Sequence, residues 1–188
     1  MSWSVASGLE GKGVIVTGAA GGIGLATAQA FAESGARVFV VDLDPEKSEA
    51  VAMDLPGEGH EWAGVDLADL NNQKDLVQRA SEVFGGVHAL AHLAAVLRRR
   101  DSLAEVTEED WDLQVDVNLK ASFFLCRAVA DSMIEKQVNG RIVLFSSQGW
   151  WTGGFGGSVV YCASKGGIVS MARGLARTFG PDGITVNV

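Results

Sequence analysis

Tyr161 and Lys165 lie four residues apart in the segment YCASK, within a stretch whose spacing predicts a helix. Residues four apart share one helix face, so both side chains would point in the same direction. A phenol ordinarily titrates near pH ~10, and a neighbouring ammonium favours its phenolate form. The pair could therefore take the proton of an alcohol while a hydride leaves its carbon. Alone, this spacing is also that of an ordinary helix surface.

Two serines, Ser146 and Ser147, close the apolar segment IVLFSS, which predicts a buried strand. Ligands of parallel sheets bind outside the carboxyl ends of the strands. A hydroxyl at this point could hold a substrate oxygen, and the alternative is a loop serine that caps a neighbouring group.

A glycine-rich loop, VTGAAGGIG at 16–24, follows a predicted strand and precedes a predicted helix. In this context glycines permit a tight turn, close approach of backbone N–H groups to a pyrophosphate, and close packing of helix on strand. The helix N-terminus adds a positive charge of about half an elementary unit. The loop predicts dinucleotide binding, with a tight turn that binds nothing as the alternative.

Asp42 ends the second predicted strand, 18 residues after Gly24. A carboxylate there can accept hydrogen bonds from both ribose hydroxyls of adenosine and would repel a 2′-phosphate. The next residue is Leu43, the glycine loop contains no Arg or Lys, and Arg37 is at the opposite end of its strand. These residues favour NAD over NADP; the alternative is a solvated turn carboxylate.

Alternating strands and helices must position these groups. Apolar runs predict strands within 12–18, 36–44, 60–67, 87–96, 140–147 and 183–188. Helical spacing predicts helices within 22–35, 45–55, 69–86, 107–136 and 158–179. This alternation predicts an α/β fold, a doubly wound parallel sheet with helices on both faces, in a single domain over 1–188.

Single residues predict where several of these helices begin and end. Gly35 fits the C-terminal glycine of the first helix, and Pro45 fits the first position of the second. Thr107 and Asp110 resemble a capping pair, although Glu or Gln is usual at the second position. One side of the first helix is expected to carry Ile23, Ala26, Ala30 and Phe31.

Composition excludes several classes of function. Of 188 residues, 47% are hydrophobic and 20% charged, which is a globular balance. The net charge of −8 argues against nucleic acid and anionic membrane as partners. Two cysteines and three histidines show no ligand spacing, so no metal site is expected. No run of about 18 apolar residues or secretory signal is seen, so the expected location is cytoplasmic.

The chain resembles the short-chain dehydrogenases/reductases, whose motifs it shows in order: TGAAGGIG, Asp42, VDL at 65–67, VNL at 117–119, FSS and YCASK. The resemblance covers nearly the whole chain and favours the single-domain branch of that family. It implies a Rossmann-like sheet and an NAD-dependent oxidoreductase that transfers a hydride between NAD(H) and a secondary alcohol or ketone. The expected partner is therefore a small-molecule alcohol or carbonyl substrate.

The resemblance also implies roles for single residues. Tyr161 is the expected acid or base, and Lys165 favours its phenolate and holds the nicotinamide ribose. Ser147 is the expected ligand of the substrate oxygen, with family spacing fitting it better than Ser146. Asn118 would kink the long helix and hold a water in a proton relay. The expected cofactor contacts are Gly18, Gly22, Ile23, Gly24, Asp42, Asp66, Leu67 and Ala94, together with Tyr161 and Lys165.

The helices at 107–136 and 158–179 resemble the pair that forms the family's dimer interface, so a homo-oligomer, dimer or tetramer, is expected. Phe123, Phe124 and Met171 would be buried in that interface or in the core. A further aromatic set, near the expected substrate pocket, would suit a ring-bearing alcohol or pack on the protein itself: Trp150, Trp151 and Phe155.

Two features depart from the family pattern. HLAA at 92–95 replaces the usual NNAG and resembles the extended branch, so an NAD-dependent nucleotide-sugar epimerase-like enzyme is an alternative. His92 is expected to be buried and bonded to backbone rather than catalytic. The family continues past VN with a substrate-covering segment and a last strand, so the chain is interpreted as truncated, with an uncovered sixth strand and weakened or absent activity. A non-catalytic NAD-binding remnant is therefore another alternative.

Overall fold

A computed structural model describes residues 8–188 of the chain. Its strands are β1 (Gly13–Thr17), β2 (Arg37–Asp42), β3 (Glu61–Gly64), β4 (Val87–His92), β5 (Arg141–Leu144) and β6 (Thr185–Asn187). Its α-helices are α1 (Gly22–Glu33), α2 (Pro45–Asp54), α3 (Leu70–Phe84), α4 (Glu108–Val115), α5 (Ala121–Glu135), α6 (Gly149–Thr152) and α7 (Val159–Phe179). Three 3₁₀ turns lie at Leu103–Glu105, Gly156–Ser158 and Gly180–Asp182.

The strands form one six-stranded sheet in the order β3-β2-β1-β4-β5-β6. All neighbouring strands pair in parallel. The order reverses between β1 and β4, and ligands of open α/β sheets bind at such a switch point, outside the carboxyl ends of the strands. The predicted doubly wound fold is confirmed.

The central strands β1, β2 and β4 are buried on both faces, as continuous apolar strands require, whereas β5 and β6 expose alternate residues on one face. Alternate residues of β1 enter two different cores: Ile15 packs with Phe39 and Leu90 on the side of α3, α5 and α7, and Val14 and Val16 pack on the side of α1 and α2. Fully burying Ile15 or Phe39 stabilises the fold by roughly 1.5–3 kcal/mol each relative to exposure. The register of the central strands is therefore fixed by side chains on both faces, and that of β5 and β6 by side chains on one face.

Helix α1 packs on the protein through small residues. Its buried residues are Gly24, Ala28 and Ala32. The side that carries Ile23, Ala26, Ala30 and Phe31 is the exposed one: Ile23 is 70% exposed, Ala26 and Ala30 are exposed, and Phe31 is half-buried. The reason is distance: a Cβ at residue 24 would overlap the Gly18 carbonyl oxygen, so α1 lies too close to β1 for larger side chains.

The helix predicted at 107–136 is interrupted. A π-helical turn at Asp116–Lys120 separates α4 from α5, and Asn118 lies at its centre. Thr107 and Asp110 form both bonds of a capping box, so Asp replaces the usual Glu or Gln here. The capping predictions for Gly35, with a φ of 82°, and for Pro45 at the start of α2 are likewise confirmed.

Three strands end three or four residues earlier than predicted, and the residues after them include candidate site residues. β3, β4 and β5 end at Gly64, His92 and Leu144, so 65–67, 93–96 and 145–147 are loop rather than strand. The sequence also did not predict α6, in a glycine-rich segment that favours loop.

The two long helices expose part of their apolar surface. Phe123 is exposed on α5 and stacks edge to face with half-buried Phe124, at 5.2 Å between ring centroids. Met171 on α7 is half-buried against the core. Within residues 8–188, no helix is long and apolar enough to cross a membrane.

Candidate active site

The glycine loop turns sharply between β1 and α1. Gly18 has a φ of 67°, a conformation that favours glycine, and a Cβ there would lie 2.8 Å from the Ala94 amide nitrogen. Gly22 also has a positive φ, of 55°, but has open space around it. The loop is therefore pressed against the end of β4 on one side and open on the other.

The N-terminus of α1 is free to receive an anion. Gly21 at the N-cap provides no side-chain hydrogen bond, and the first turn contains no acidic residue. The first amide groups of a helix have no partners within the helix, and its dipole attracts negative charge. A dinucleotide pyrophosphate fits this site. The close backbone approach at Gly18 and Gly24 leaves room for it, and the free amides at the N-terminus of α1 can donate to it.

Asp42 lies at the end of β2, half-buried beside the loop. Its Oδ2 accepts a hydrogen bond from the Ala20 amide at 2.9 Å, and its Oδ1 accepts from the Leu43 amide at 2.8 Å. These bonds orient the carboxylate toward the loop. Arg37 is at the start of β2, where its guanidinium bonds the Val83 and Gly59 carbonyls, so it does not counter the charge of Asp42.

The remaining expected cofactor residues lie in the loops after β3 and β4. Asp66 is exposed, and its Oδ1 accepts from the Ala68 amide at 2.9 Å. The Leu67 side chain is buried in the core, so its backbone is the part available for contact. The Ala94 amide donates to Thr17 Oγ1 at 3.2 Å, which fixes the β4 loop beside the end of β1.

Lys165 is buried on α7, at 4% exposure, and reaches back to the sheet. Its Nζ donates to the Phe145 carbonyl at 2.8 Å, directly after β5. The same ammonium lies 5.8 Å from the ring centroid of Tyr161. Burial lowers the pKa of Lys165 to about 8, so the charged form still predominates at neutral pH. The predicted tyrosine–lysine pair is thus brought together beside β5.

The two candidate serines differ in their bonds. Ser146 Oγ donates to the Lys165 carbonyl at 2.8 Å, which uses its proton to hold α7. Ser147 Oγ accepts from the Gly149 amide at 3.2 Å and keeps its proton for another acceptor. Only Ser147 therefore has a hydroxyl available for a substrate oxygen.

Asn118 is buried at the centre of the site. Its side chain pairs with the Val96 backbone, Oδ1 accepting at 2.8 Å and Nδ2 donating at 2.9 Å. Nδ2 also donates to Ser164 Oγ on α7 at 3.1 Å. The π-helical turn thus joins the loop after β4 to the helix that carries Tyr161 and Lys165.

His92 is buried, as expected, but its partners correct the prediction of backbone bonding. Its Nδ1 lies 2.7 Å from Thr17 Oγ1, and its Nε2 lies 2.8 Å from Ser122 Oγ. Sequence reasoning missed Thr17, Ser122 and Ser164. Available signals were the position of Thr17 directly before Gly18 and the spacing of Asn118 and Ser122, four residues apart on a helix.

The aromatic residues near the site do not pack into the protein. Trp151 and Phe155 are 77% and 90% exposed, and Trp150 stacks edge to face on Trp151 at 5.4 Å. Their segment packs closely against α7 at Gly149, where a Cβ would overlap the Cys162 sulfur. They therefore form an open apolar surface next to the start of the helix that carries Tyr161.

The described residues 8–188 contain no group of three or more His, Cys, Asp or Glu that could hold a metal ion. The chemistry available is that of a buried lysine, a phenol, a serine hydroxyl and a helix N-terminus. These groups define an α/β protein of the doubly wound class, with its polar groups gathered at the carboxyl ends of the strands.

The family model described as short chain dehydrogenase matches residues 12–188, and the chain belongs to that family of oxidoreductases. It is 37% identical over 183 residues to a subunit of (2S)-[(R)-hydroxy(phenyl)methyl]succinyl-CoA dehydrogenase of Thauera aromatica, covering 96% of this chain and 72% of the relative. It is 38% identical over 181 residues to D-threitol dehydrogenase of Mycolicibacterium smegmatis, covering 95% and 68%. It is 35% identical over 181 residues to galactitol 2-dehydrogenase of Agrobacterium fabrum, covering 95% and 69%.

Proposed function

We propose that this protein transfers a hydride between NAD(H) and a secondary alcohol or ketone, with Tyr161 as general acid and base. The observation that supports this most is the position of Lys165, whose buried ammonium lies 2.8 Å from the Phe145 carbonyl after β5 and 5.8 Å from the centroid of the Tyr161 ring. A positive charge beside a phenol favours the phenolate, which can accept the proton of an alcohol.

The cofactor we propose is NAD. When bound, the nicotinamide accepts or supplies the hydride. Its pyrophosphate would be held by backbone amides at Gly22, Ile23 and Gly24, and its adenosine by Asp42 and the loops after β3 and β4. Support for NAD over NADP comes from the Asp42 carboxylate, which would repel a 2′-phosphate, and from the absence of Arg and Lys in the glycine loop.

Ser147 and Asn118 have supporting roles in this proposal. The Ser147 hydroxyl would donate to the substrate oxygen, since its proton has no acceptor among the described residues. Asn118 would hold the π-helical turn against Val96 and Ser164, and so fix the position of α7. The Lys165 ammonium would also bind the nicotinamide ribose.

We propose an alcohol with an apolar or ring-bearing portion as substrate. Support for the apolar portion comes from the exposed Trp151 and Phe155 beside α7 and from the hydroxy(phenyl)methyl group in the name of one relative. The two relatives named for polyols support an alcohol substrate, but not its apolar portion. We also propose a homo-oligomer formed through α5 and α7, supported by exposed Phe123 and half-buried Phe124 and Met171, and a cytoplasmic location.

The test is a panel of secondary alcohols assayed with NAD and NADP, using the wild-type protein and Tyr161→Phe. We expect NAD-dependent oxidation by the wild type and a loss of about 10²–10⁴-fold in turnover by the variant, because general acid–base catalysis contributes that much. Cofactor affinity should stay within about twofold. Retained turnover by Tyr161→Phe would contradict the proposal.

Thr178→Val is the matched control. It removes a hydroxyl from the same helix, where Thr178 Oγ1 donates to the Gly174 carbonyl at 2.9 Å, far from the catalytic turn. We expect unchanged turnover. If the wild type binds NAD but oxidises none of the panel alcohols, the result would favour a non-catalytic NAD-binding protein over the proposed dehydrogenase.

A further inference from the structure

Five buried polar residues are linked by hydrogen bonds from the glycine loop to α7, four of the five contributing only side chains and Asn118 joining the series through both its backbone carbonyl and its side chain. In order, they are Thr17, His92, Ser122, Asn118 and Ser164, all at most 4% exposed. We call this set the polar chain. It begins at the residue before Gly18 and ends one residue before Lys165.

Two backbone carbonyls, which can only accept hydrogen bonds, fix the direction of the bonds made by Ser164 and Ser122. Ser164 Oγ donates to the Tyr161 carbonyl at 2.7 Å, so it accepts the Asn118 Nδ2 hydrogen. Ser122 Oγ donates to the Asn118 carbonyl at 2.6 Å. A hydroxyl has one proton, so Ser122 can only accept from His92.

It follows that His92 Nε2 carries the ring proton and donates to Ser122 at 2.8 Å. Nδ1 is then an acceptor, and Thr17 Oγ1 donates to it at 2.7 Å while accepting the Ala94 amide hydrogen. Every hydrogen in the polar chain has one acceptor. A protonated imidazole would donate at both nitrogens and leave the Thr17 hydroxyl hydrogen without an acceptor.

Electrostatics agree with a neutral ring. Burial lowers the pKa of His92 to about 3, and the positive charge of Lys165 acts in the same direction. A buried polar network in which every member is satisfied rigidifies the groups it joins.

We propose that His92, as the neutral Nε2–H tautomer, is a positioning residue that couples the glycine loop to the helix bearing Tyr161 and Lys165; the roles of those two residues rest on the proposed function. At one end Thr17 and Ala94 fix the loop, because Gly18 is in close contact with Ala94. At the other end Ser122 holds the carbonyl of the residue at the centre of the π-helical turn.

The kinetic test compares His92→Leu, Ser122→Ala and the double variant. Each single change should lower kcat about tenfold with KM for the alcohol within about twofold. The double variant should lose no more than either single one, because both break the same chain. His92→Gln, which restores a donor and an acceptor, should recover kcat to within about threefold of wild type.

Ser48→Ala is the matched control, because Ser48 is fully buried and also donates to the carbonyl four residues earlier, that of Asp44, at 2.8 Å. It should leave kcat unchanged. Multiplicative losses in the double variant, or an equal loss in Ser48→Ala, would overturn the positioning role.

A second measurement does not depend on turnover. In ¹⁵N spectra of the full chain, the His92 signals, assigned by their loss in His92→Gln, should show an Nε2–H tautomer from pH 8 to pH 5. Ser122→Ala should shift the Ala94 amide at the far end of the polar chain. An Nδ1–H tautomer, an imidazolium at pH 5 or an unmoved Ala94 amide would overturn the inference, whereas absence of wild-type turnover would overturn only the proposed function.

Discussion

At the scale of single residues, Lys165 shows how position sets chemistry. The ammonium is taken out of water, which lowers its pKa to about 8, yet it keeps one strong acceptor in the Phe145 carbonyl. Above that pH the charge of Lys165 is lost, and with it the cation that lies 5.8 Å from the centroid of the Tyr161 ring. The same side chain in solvent would be charged throughout this range but would have no fixed position.

In the proposed function, the choice of NAD over NADP depends on Asp42. Asp42→Ala should weaken NAD binding by about tenfold or more, since a hydrogen bond to a charged group contributes about 1.5–3 kcal/mol. The NAD/NADP affinity ratio should fall as well, because the repulsion of a 2′-phosphate is removed. Fluorescence titration with both cofactors measures the two affinities.

Asp44→Ala is the control for this change. Asp44 also presents a carboxylate to backbone amides, those of Glu46 and Lys47, but as the N-cap of α2. It should lower stability by about 0.5–2 kcal/mol and leave the NAD/NADP ratio unchanged. An unaltered ratio in Asp42→Ala would exclude the proposed role of that carboxylate.

Gly24 tests the close approach of α1 to the loop. Gly24→Ala places a methyl group on the Gly18 carbonyl, so the loop must shift, and we expect both lower stability and NAD affinity reduced about tenfold or more. Gly174→Ala on α7 has open space around the new methyl and should stabilise the protein by about 0.5–1 kcal/mol. Thermal unfolding and NAD titration of both variants give the comparison, and equal behaviour would show that the contact is unimportant.

At the scale of elements, α4 is fixed at its first turn. Asp110 completes the capping box and forms a two-bond ion pair with Arg100, at 2.7 Å for each bond. A Cβ on Gly157 would lie 2.5 Å from the Arg100 carbonyl oxygen, so the loop before α4 is also packed against the 3₁₀ turn that precedes α7. The Asp110 carboxylate therefore stabilises both the start of α4 and the loop that contains Arg100. That loop in turn packs against the 3₁₀ turn before Tyr161.

This arrangement gives a pH-dependent stability. The Arg100 guanidinium, followed by the Thr107 amide, holds the pKa of Asp110 down to about 2. A carboxyl whose folded-state pKa is lowered stabilises the protein above its unfolded pKa, near 4, and loses that contribution as the pH falls toward 2. Asp110→Asn should therefore lower the urea midpoint at pH 7, and the difference from wild type should narrow below about pH 4.

Asp116→Asn is the appropriate comparison, since the exposed Asp116–Lys120 pair is expected to contribute only about 0.3–0.5 kcal/mol. A constant difference between Asp110→Asn and wild type across this pH range would argue against the ion pair as the cause.

Much of the fold followed from local sequence, and the reasons are physical. Apolar β-branched runs and glycines at the strand ends predicted every strand, because burial on both faces of the central strands leaves a continuous apolar pattern. Which side of α1 is buried did not follow from the sequence, since the Gly18–Gly24 contact is a tertiary constraint that periodicity does not contain. The partners of His92 were equally out of reach, because Thr17 and Ser122 approach it only after the sheet and α5 have packed.

At the scale of the whole molecule, the candidate site joins the two halves of the sheet. The glycine loop extends β1, and it rests on Ala94 from the loop after β4. A ligand held there contacts groups from both sides of the switch point. Its binding free energy is therefore added to the stability of the complete sheet.

NAD should accordingly stabilise the protein against unfolding. At a concentration 100 times its Kd, a ligand that binds only the folded state adds about 2.7 kcal/mol to the free energy of unfolding. Urea unfolding with and without NAD measures this, and Asp42→Ala should need a correspondingly higher concentration for the same effect. No shift of the midpoint at any NAD concentration would exclude dinucleotide binding.

The pairing of β1 with β4 also has a kinetic consequence. Thr17 and His92 are register partners, although 75 positions separate them along the chain. Closing so long a loop costs entropy before its contacts form, which slows the folding of topologies rich in distant pairings. During folding, β1 must therefore pair with β4 before the glycine loop can pack against Ala94. If β1 pairs with β4 only after the transition state for folding, NAD will lower the unfolding rate constant and leave the folding rate constant unchanged.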